Sequence, residues 1–284
     1  MTSFKAACVQ MNSGRSVEAN VETAEALIRG AAAAGAGYVL TPEMTTILDR
    51  DRENLLASIG PEDVDLSLQR FRELARELGI HLHIGSMAIR LPDDHIANRS
   101  FVIAPNGAIV GRYDKIHMFD VDLSGGESYR ESATYRAGET AVVTDLPWTK
   151  LGLTICYDVR FPVLHRTLAK AGATVLAVPA AFTRKTGEAH WHVLLRARAI
   201  ETGSYIIAAA QAGHHEDGRD TFGHSMIIDP WGKILAEASG DQPGFIVADI
   251  DPAFAQSARQ AIPALANQRD FALPAMPQVG SFVN

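Results

Sequence analysis

Apolar runs broken at regular intervals by glycine, proline and charge divide this chain into short elements. Phe4 to Gln10 is an apolar, β-prone run that predicts a first strand, and the Ala-rich segment Ser16 to Ala34, stopped by Gly35 and Gly37, predicts a helix. Tyr38 to Leu40 then reads as a second, buried strand. The opening is thus a β-α-β unit with parallel strands and a right-handed crossover. Thr41-Pro42-Glu43-Met44 follows at once and places a carboxylate at a strand's C-terminal end.

Glu62 to Leu78 predicts a helix with Leu66, Phe71, Leu74, Ala75 and Leu78 on its apolar side and Gly79 as its C-cap. A strand follows over Ile80 to Ile89. Ser100 to Ala104 and Ala108 to Tyr113 flank Pro105-Asn106-Gly107, a hairpin signal, and deliver Asp114-Lys115 to the hairpin's exit. Ile116 to Gly138 reads as a long polar loop, of a length that compact domains keep for function or leave disordered. Strands are expected at Ala141 to Leu146, Leu151 to Ile155, Thr174 to Val178, Tyr205 to Ala210, Ser225 to Ile228, Ile234 to Ala238 and Phe245 to Ile250. Helices are expected at Phe161 to Ala171, Ala189 to Thr202 and Pro252 to Ala261, with a proline-bearing extended arm from about Ile262. Because hairpins, including one at Asp229-Pro-Trp-Gly232, interrupt the alternation, the fold class is α/β with mixed sheets stacked face to face and helices outside. No repeat or composition shift divides the 284 residues, which read as a single domain.

Composition narrows the functional classes. With 26 basic and 33 acidic residues, a formal charge of -7 and no basic cluster, nucleic acid is not an expected partner. No apolar run approaches the roughly 18 residues of a membrane span, and the N-terminus enters a strand without a signal peptide's features. A soluble, cytoplasmic protein is expected. Two cysteines make no disulfide framework; Cys8, within an apolar strand, reads as core.

Cys156 is different. Gly152-Leu-Thr-Ile-Cys156-Tyr-Asp-Val-Arg160-Phe-Pro162 takes a strand into a cysteine flanked by charge, then into a turn and a helix. In an α/β sheet that position faces the ligand crevice, and N–H groups opening a helix would lower the thiol pKa. The stretch alone leaves a buried structural cysteine as the alternative. Glu43, Lys115 and Glu131 also sit at element ends. Together these residues offer what amide hydrolysis by a thiol requires: a nucleophile, a base, a cation for the oxyanion and a second carboxylate to hold the lysine.

Pro42-Glu43-Met44, Gly111-Arg-Tyr-Asp-Lys115-Ile-His117 and the Cys156 stretch, 72 and 41 residues apart at Glu43, Lys115 and Cys156, resemble the nitrilase superfamily of carbon-nitrogen hydrolases. The resemblance extends from Phe4 to about Pro252. It implies a four-layer α-β-β-α sandwich and a Glu-Lys-Cys triad: Glu43 as general base, Lys115 as oxyanion stabiliser with the Tyr157 N–H, and Cys156 as nucleophile. It places a second glutamate after the lysine, where spacing favours Glu131 over Glu127. No cofactor is implied. Phe119-Asp-Val-Asp-Leu, the Gly125 to Ser132 segment, Pro179 to Trp191 and Leu195 to Glu201 are similar to the Nit-type amidases, a subgroup of ω-amidases and deaminated glutathione amidases.

The expected substrate is a small amide bearing a carboxylate, with N-carbamoyl amino acid hydrolysis as the competing reaction and a non-catalytic scaffold as the rival class. Arg160 is expected to face the pocket and pair with that carboxylate, or else with Asp158 or another acid. Arg184 and Lys185 are placed in a loop at the crevice. Phe182, Thr183 and Tyr135 line the pocket or serve as ordinary loop packing. The resemblance also implies a homodimer or larger assembly, paired through the helix after Cys156, whose Phe161, Val163, Leu164 and Leu168 exceed one buried face. His81-x-His83, His190-x-His192 and His214-His215 suggest metal ligands, but no third ligand stands at metal-site spacing, so no metal is expected.

Overall fold

The computed structural model describes residues 2–122 and 128–272. One sheet of seven strands runs, edge to edge, Gly244–Ile250, Phe4–Gln10, Tyr38–Leu40, His81–Arg90, Ile96–Ile103 and Ile109–Asp114, with the two-residue strand Tyr135–Arg136 beside Ile96–Ile103. The second, of six strands, runs Ile234–Glu237, Met226–Ile228, Tyr205–Ala208, Val175–Ala177, Lys150–Leu153 and Val143–Asp145. Both sheets mix parallel and antiparallel pairs.

Strand alternation decides the layering. From Phe4–Gln10, Phe4, Ala6 and Cys8 join the core against the second sheet, while Ala7 and Val9 join the core under the helices of the first. Those helices are α1 (Val17–Ala33), capped by Ser16 and burying Ala24, Ile28 and Ala31, and, beyond the short α2 (Arg52–Ser58), α3 (Leu66–Leu78). On the other side, α4 (Pro162–Lys170) and α5 (Arg184–Thr202) bury Leu164, Leu168, Trp191 and Leu195 against the second sheet. α6 (Pro252–Ala261) follows the last strand. The result is the expected α-β-β-α sandwich. Among the described residues no helix is long and apolar enough to cross a membrane.

Several boundaries differ from the sequence reading, each for a local reason. The helix expected from Glu62 is broken at Asp65, whose carboxylate accepts the Leu68 N–H and starts α3 afresh. α2 escapes periodicity because only Leu55 is buried; its start is fixed by Asp51, which accepts the Glu53 and Asn54 N–H groups. α5 begins at Arg184 rather than Ala189. Gly187 inside its first turns argues against a helix by propensity, but a Cβ there would lie 2.3 Å from Phe222, so packing requires the glycine. The polar loop after Lys115 contains a paired ribbon, Asp120–Asp122 with Ser128–Arg130, and a second ribbon, Ala212–His214 with Asp220–Phe222, was not foreseen. Glu127 lies outside the described residues.

Candidate active site

Three strand ends bring the motifs together. Glu43 follows Tyr38–Leu40, Lys115 follows Ile109–Asp114, and Cys156 follows Lys150–Leu153 in the second sheet, so the site lies where the two sheets meet. All three are buried, Glu43 to 4 %, Lys115 to 2 % and Cys156 to 7 % exposure. Lys115 Nζ donates to Glu43 Oε1 at 2.9 Å and to both oxygens of Glu131, at 2.9 and 2.8 Å. Glu43 Oε2 accepts the Ala181 N–H at 2.8 Å, and Cys156 lines the same cavity as Glu43 and Lys115.

Cys156 has φ of +49°, in the left-handed region that a side chain enters only when its surroundings compel it. Its N–H is spent on the Pro179 carbonyl at 2.8 Å, and that of Asp158 on the Ile155 carbonyl. Asp158, fully buried, does not pair with Arg160. It accepts from Tyr113 Oη at 2.6 Å, from the Ile155 N–H at 2.8 Å and from the His117 N–H at 3.1 Å, with His117 Nδ1 at 2.7 Å. One carboxylate therefore fastens the lysine-bearing stretch to the cysteine-bearing turn.

Electrostatics set the resting state. Burial opposes the Lys115 charge, yet the carboxylates of Glu131 and Glu43 outweigh it and hold its pKa well above the ordinary lysine value. Burial likewise works against an ionised Glu43, but the Lys115 charge and hydrogen bonds from Lys115 and Asn98 hold its pKa below normal. The Cys156 thiol is pushed well above its usual value by burial and then by the Glu43 carboxylate, against the pull of Lys115. This reverses the expected thiolate: the residue opens a short 3-10 turn, and desolvation beside an anion dominates. A protonated thiol faces an ionised carboxylate.

Asn98 was missed. Fully buried, it donates from Nδ2 to Glu43 Oε1 at 2.9 Å and to Glu131 Oε1 at 3.3 Å, bridging the two carboxylates that flank Lys115. It sits in the middle of a strand, where an asparagine gives no signal in a motif search. Phe119 fixes Glu131 from the other side, its N–H donating to Oε2 at 2.7 Å.

Glu43, Lys115, Glu131 and Cys156 line a cavity of about 310 Å³ whose walls include Tyr129, Tyr135, Tyr157, Phe182 and Thr183, four of them expected at the site. Arg160 is not among the lining residues. Its guanidinium lies over the rings of Phe182, 5.1 Å from the centroid, and Tyr157, at 5.8 Å, and meets His190 Nδ1 at 3.2 Å, so it packs behind the wall and pairs with no acid among the described residues. Arg184 and Lys185 belong to the first turn of α5, and Arg184 pairs with Asp241 at 2.7 Å. Besides Lys115, the cations on the cavity wall among the described residues are Arg50, Arg130 and Arg219. Arg130 is engaged by Asp122 and Arg219 by Asp217, whereas Arg50 makes no ion pair among the described residues and rests on Tyr129, donating to its hydroxyl at 3.2 Å.

The histidine pairs are mostly accounted for as structure. His83 is buried between Tyr38 Oη, at 2.6 Å, and Ser100 Oγ, at 2.7 Å, while His81 packs edge-on against Trp148. His215 is held by the Ser13 carbonyl and Thr221.

Known proteins share this arrangement of chain. A protein from Synechocystis called deaminated glutathione amidase is 43 % identical over 272 residues, covering 93 % of this chain and 98 % of its own. The crystal structure of Nit3 from Saccharomyces cerevisiae, described as a member of branch 10 of the nitrilase superfamily, superposes with a TM-score of 0.85 at 32 % identity over 95 % of this chain and 97 % of the yeast one. The NitFhit protein of C. elegans superposes with a TM-score of 0.87 at 35 % identity over 94 % of this chain, which spans 65 % of the longer worm chain. Residues 5–260 fit the sequence pattern of the carbon-nitrogen hydrolases, so a strained cysteine beside paired glutamates and a buried lysine is set in a chain that belongs to the carbon-nitrogen hydrolase family.

Proposed function

We propose that this carbon-nitrogen hydrolase is a thiol amidase for a small amide bearing a carboxylate, of the deaminated glutathione or 2-oxoglutaramate type. The observation that carries the chemistry is a Cys156 thiol on the same cavity wall as an ionised Glu43 that is itself held by Lys115 and the Ala181 N–H. Glu43 takes the thiol proton as Sγ attacks the amide carbon, and the carbonyl electron pair moves onto oxygen. Lys115 Nζ receives that oxyanion by giving up one of its two bonds to Glu131. The Tyr157 N–H is the second donor, since its neighbours' N–H groups are already committed. Collapse expels the amine, which takes the proton from Glu43 and leaves a thioester on Cys156. Water, deprotonated by Glu43, attacks the thioester; the acid departs and the proton returns to sulfur.

The substrate class rests on the cavity wall and on the name borne by the Synechocystis relative. Arg50, rather than Arg160, is the cation placed to receive a carboxylate, because its fork is not committed to an acid among the described residues. A panel of amides assayed for ammonia or amine release tests the reading. Wild type should prefer succinamate to butyramide by about 10- to 100-fold in kcat/KM, the worth of one charge-assisted pair. Arg50→Met should erase that preference and Arg160→Met should not. Equal rates on both amides in the wild type would remove carboxylate recognition.

We infer further that the 284-residue chain works as one hydrolase unit and pairs with a second copy through the outer face of α4 and α5. Leu164 and Leu168 are buried within the subunit, so the expected apolar excess on α4 reduces to Val163, 76 % exposed; Val193 and Ile200 on α5, 68 % and 54 % exposed, extend it. The residues after α6 do not supply that pairing in the described part, where Arg166 of α4 binds Gln268 and the Ala264 carbonyl of its own chain. A monomer by sedimentation at micromolar concentration would refute the pairing.

A further inference from the structure

The sequence offers no third ligand for any histidine pair, but the fold assembles one away from the cavity. His192 on α5, His224 in the turn before Met226–Ile228, and Glu237 at the end of the edge strand Ile234–Glu237 converge, with one donor atom from each within 4.8 Å of the others. His192 Nε2 and His224 Nδ1 each lie 2.8 Å from the same oxygen, Glu237 Oε1. We propose that this trio is a binding site for a zinc-like divalent transition-metal ion.

The arrangement is held by the fold. His224 has φ of +54°, and its carbonyl accepts the Trp191 indole N–H at 2.9 Å, from the residue preceding His192. The Phe222 ring stacks on His224 at 4.3 Å and meets His192 edge-on at 5.9 Å. A side chain at 240 would meet His224 Nε2, since a Cβ on Gly240 would lie 2.8 Å from it. Both imidazoles are thus set by packing rather than by an ion. The nitrogens that face Glu237 now donate N–H to its carboxylate, and an ion taken up there would displace those protons; two nitrogens with one carboxylate oxygen form a donor set for Zn²⁺, Ni²⁺ or Cu²⁺ rather than for the oxygen-seeking Mg²⁺ or Ca²⁺. The three side chains are about a third exposed, at 34, 30 and 31 %, which leaves room for water to complete the coordination. None of the three lines the catalytic cavity. The ion would therefore clamp α5, whose N-cap Thr183 borders the cavity, to the edge of the second sheet.

The test uses the full chain as the Cys156→Ala variant, so that the active-site thiol takes no metal. After chelation it is titrated with Co²⁺, read by visible d–d absorption and displaced by Zn²⁺, and its Tm is followed with and without Zn²⁺. The expectation is one equivalent bound with a Kd below about 100 µM, weakened at least about tenfold by either His224→Gln or Glu237→Gln, and a Zn²⁺-dependent rise in Tm that both substitutions remove. In the presence of Cys156, neither substitution should change the metal-free rate of amide hydrolysis. Absence of saturable binding, or binding that survives both substitutions, would overturn the site. Should His224→Gln fail to fold, Glu237→Gln alone decides.

Discussion

Replacing Glu131 by glutamine tests whether this carboxylate, rather than Glu127, keeps Lys115 in place. Glu131 accepts two bonds from Lys115 Nζ, at 2.9 and 2.8 Å, and one from the Phe119 N–H at 2.7 Å. Glutamine retains one acceptor oxygen but turns the other into a donor that must face either the ammonium or the amide N–H. One charge-assisted bond worth about 1.5 to 3 kcal/mol is lost outright, and the buried lysine keeps only Glu43 as a counter-ion. Lys115 is then drawn onto Glu43, away from the oxyanion and at the expense of the base. A loss of about 2 to 4 kcal/mol in transition-state stabilisation corresponds to about 30- to 1,000-fold in kcat. The assay is steady-state amine or ammonia release at saturating amide, with circular dichroism to show that the fold is kept and Glu127→Gln as the companion. A folded Glu131→Gln enzyme within threefold of the wild-type kcat, or a larger loss in Glu127→Gln, would refute the assignment.

Cys156→Ala should abolish turnover and leave the melting curve intact, while Cys8→Ala should stay near wild-type activity; iodoacetamide labelling traced to Cys8 and not Cys156 would misplace the nucleophile. Cys8 is fully buried, and burial raises its thiol pKa far out of reactive range. Gly85→Ala should cost most of the activity, because a Cβ there would lie 2.1 Å from the Thr41 carbonyl oxygen and 2.6 Å from that of Pro42, the backbone that carries Glu43; an unaltered kcat in a folded variant would refute this. For pH, Glu43 must be ionised and its pKa is lowered, so the acid limb of kcat/KM should fall below the ordinary glutamate value of 4.5. Cys156 and Lys115 are raised, so the alkaline limb should lie above the ordinary cysteine value of 9.0. A rate profile with an inflection near pH 6 to 7 would point to a histidine in the mechanism instead.

By itself the sequence determined the elements and the reactive types. The strand at Phe4 to Gln10, the hairpin at Pro105-Asn106-Gly107 and the helix at Pro252 to Ala261 follow from an apolar β-prone run, turn chemistry and capping, which are local and written in consecutive residues. Glu43, Lys115, Glu131 and Cys156 could be singled out because each stands at an element end within a distinctive run. Tertiary structure decided what depends on neighbours distant in the chain. Asn98 became part of the site because its strand passes both carboxylates, and Asp158 became a clamp because Tyr113, in a strand of the first sheet, and His117, just beyond that strand, reach it. Arg160 went behind the wall because two aromatic rings offered it a face, leaving Arg50 at the cavity. The thiol's protonation was decided there too, since desolvation and an adjacent charge act through space and reversed what the helix-start argument predicted.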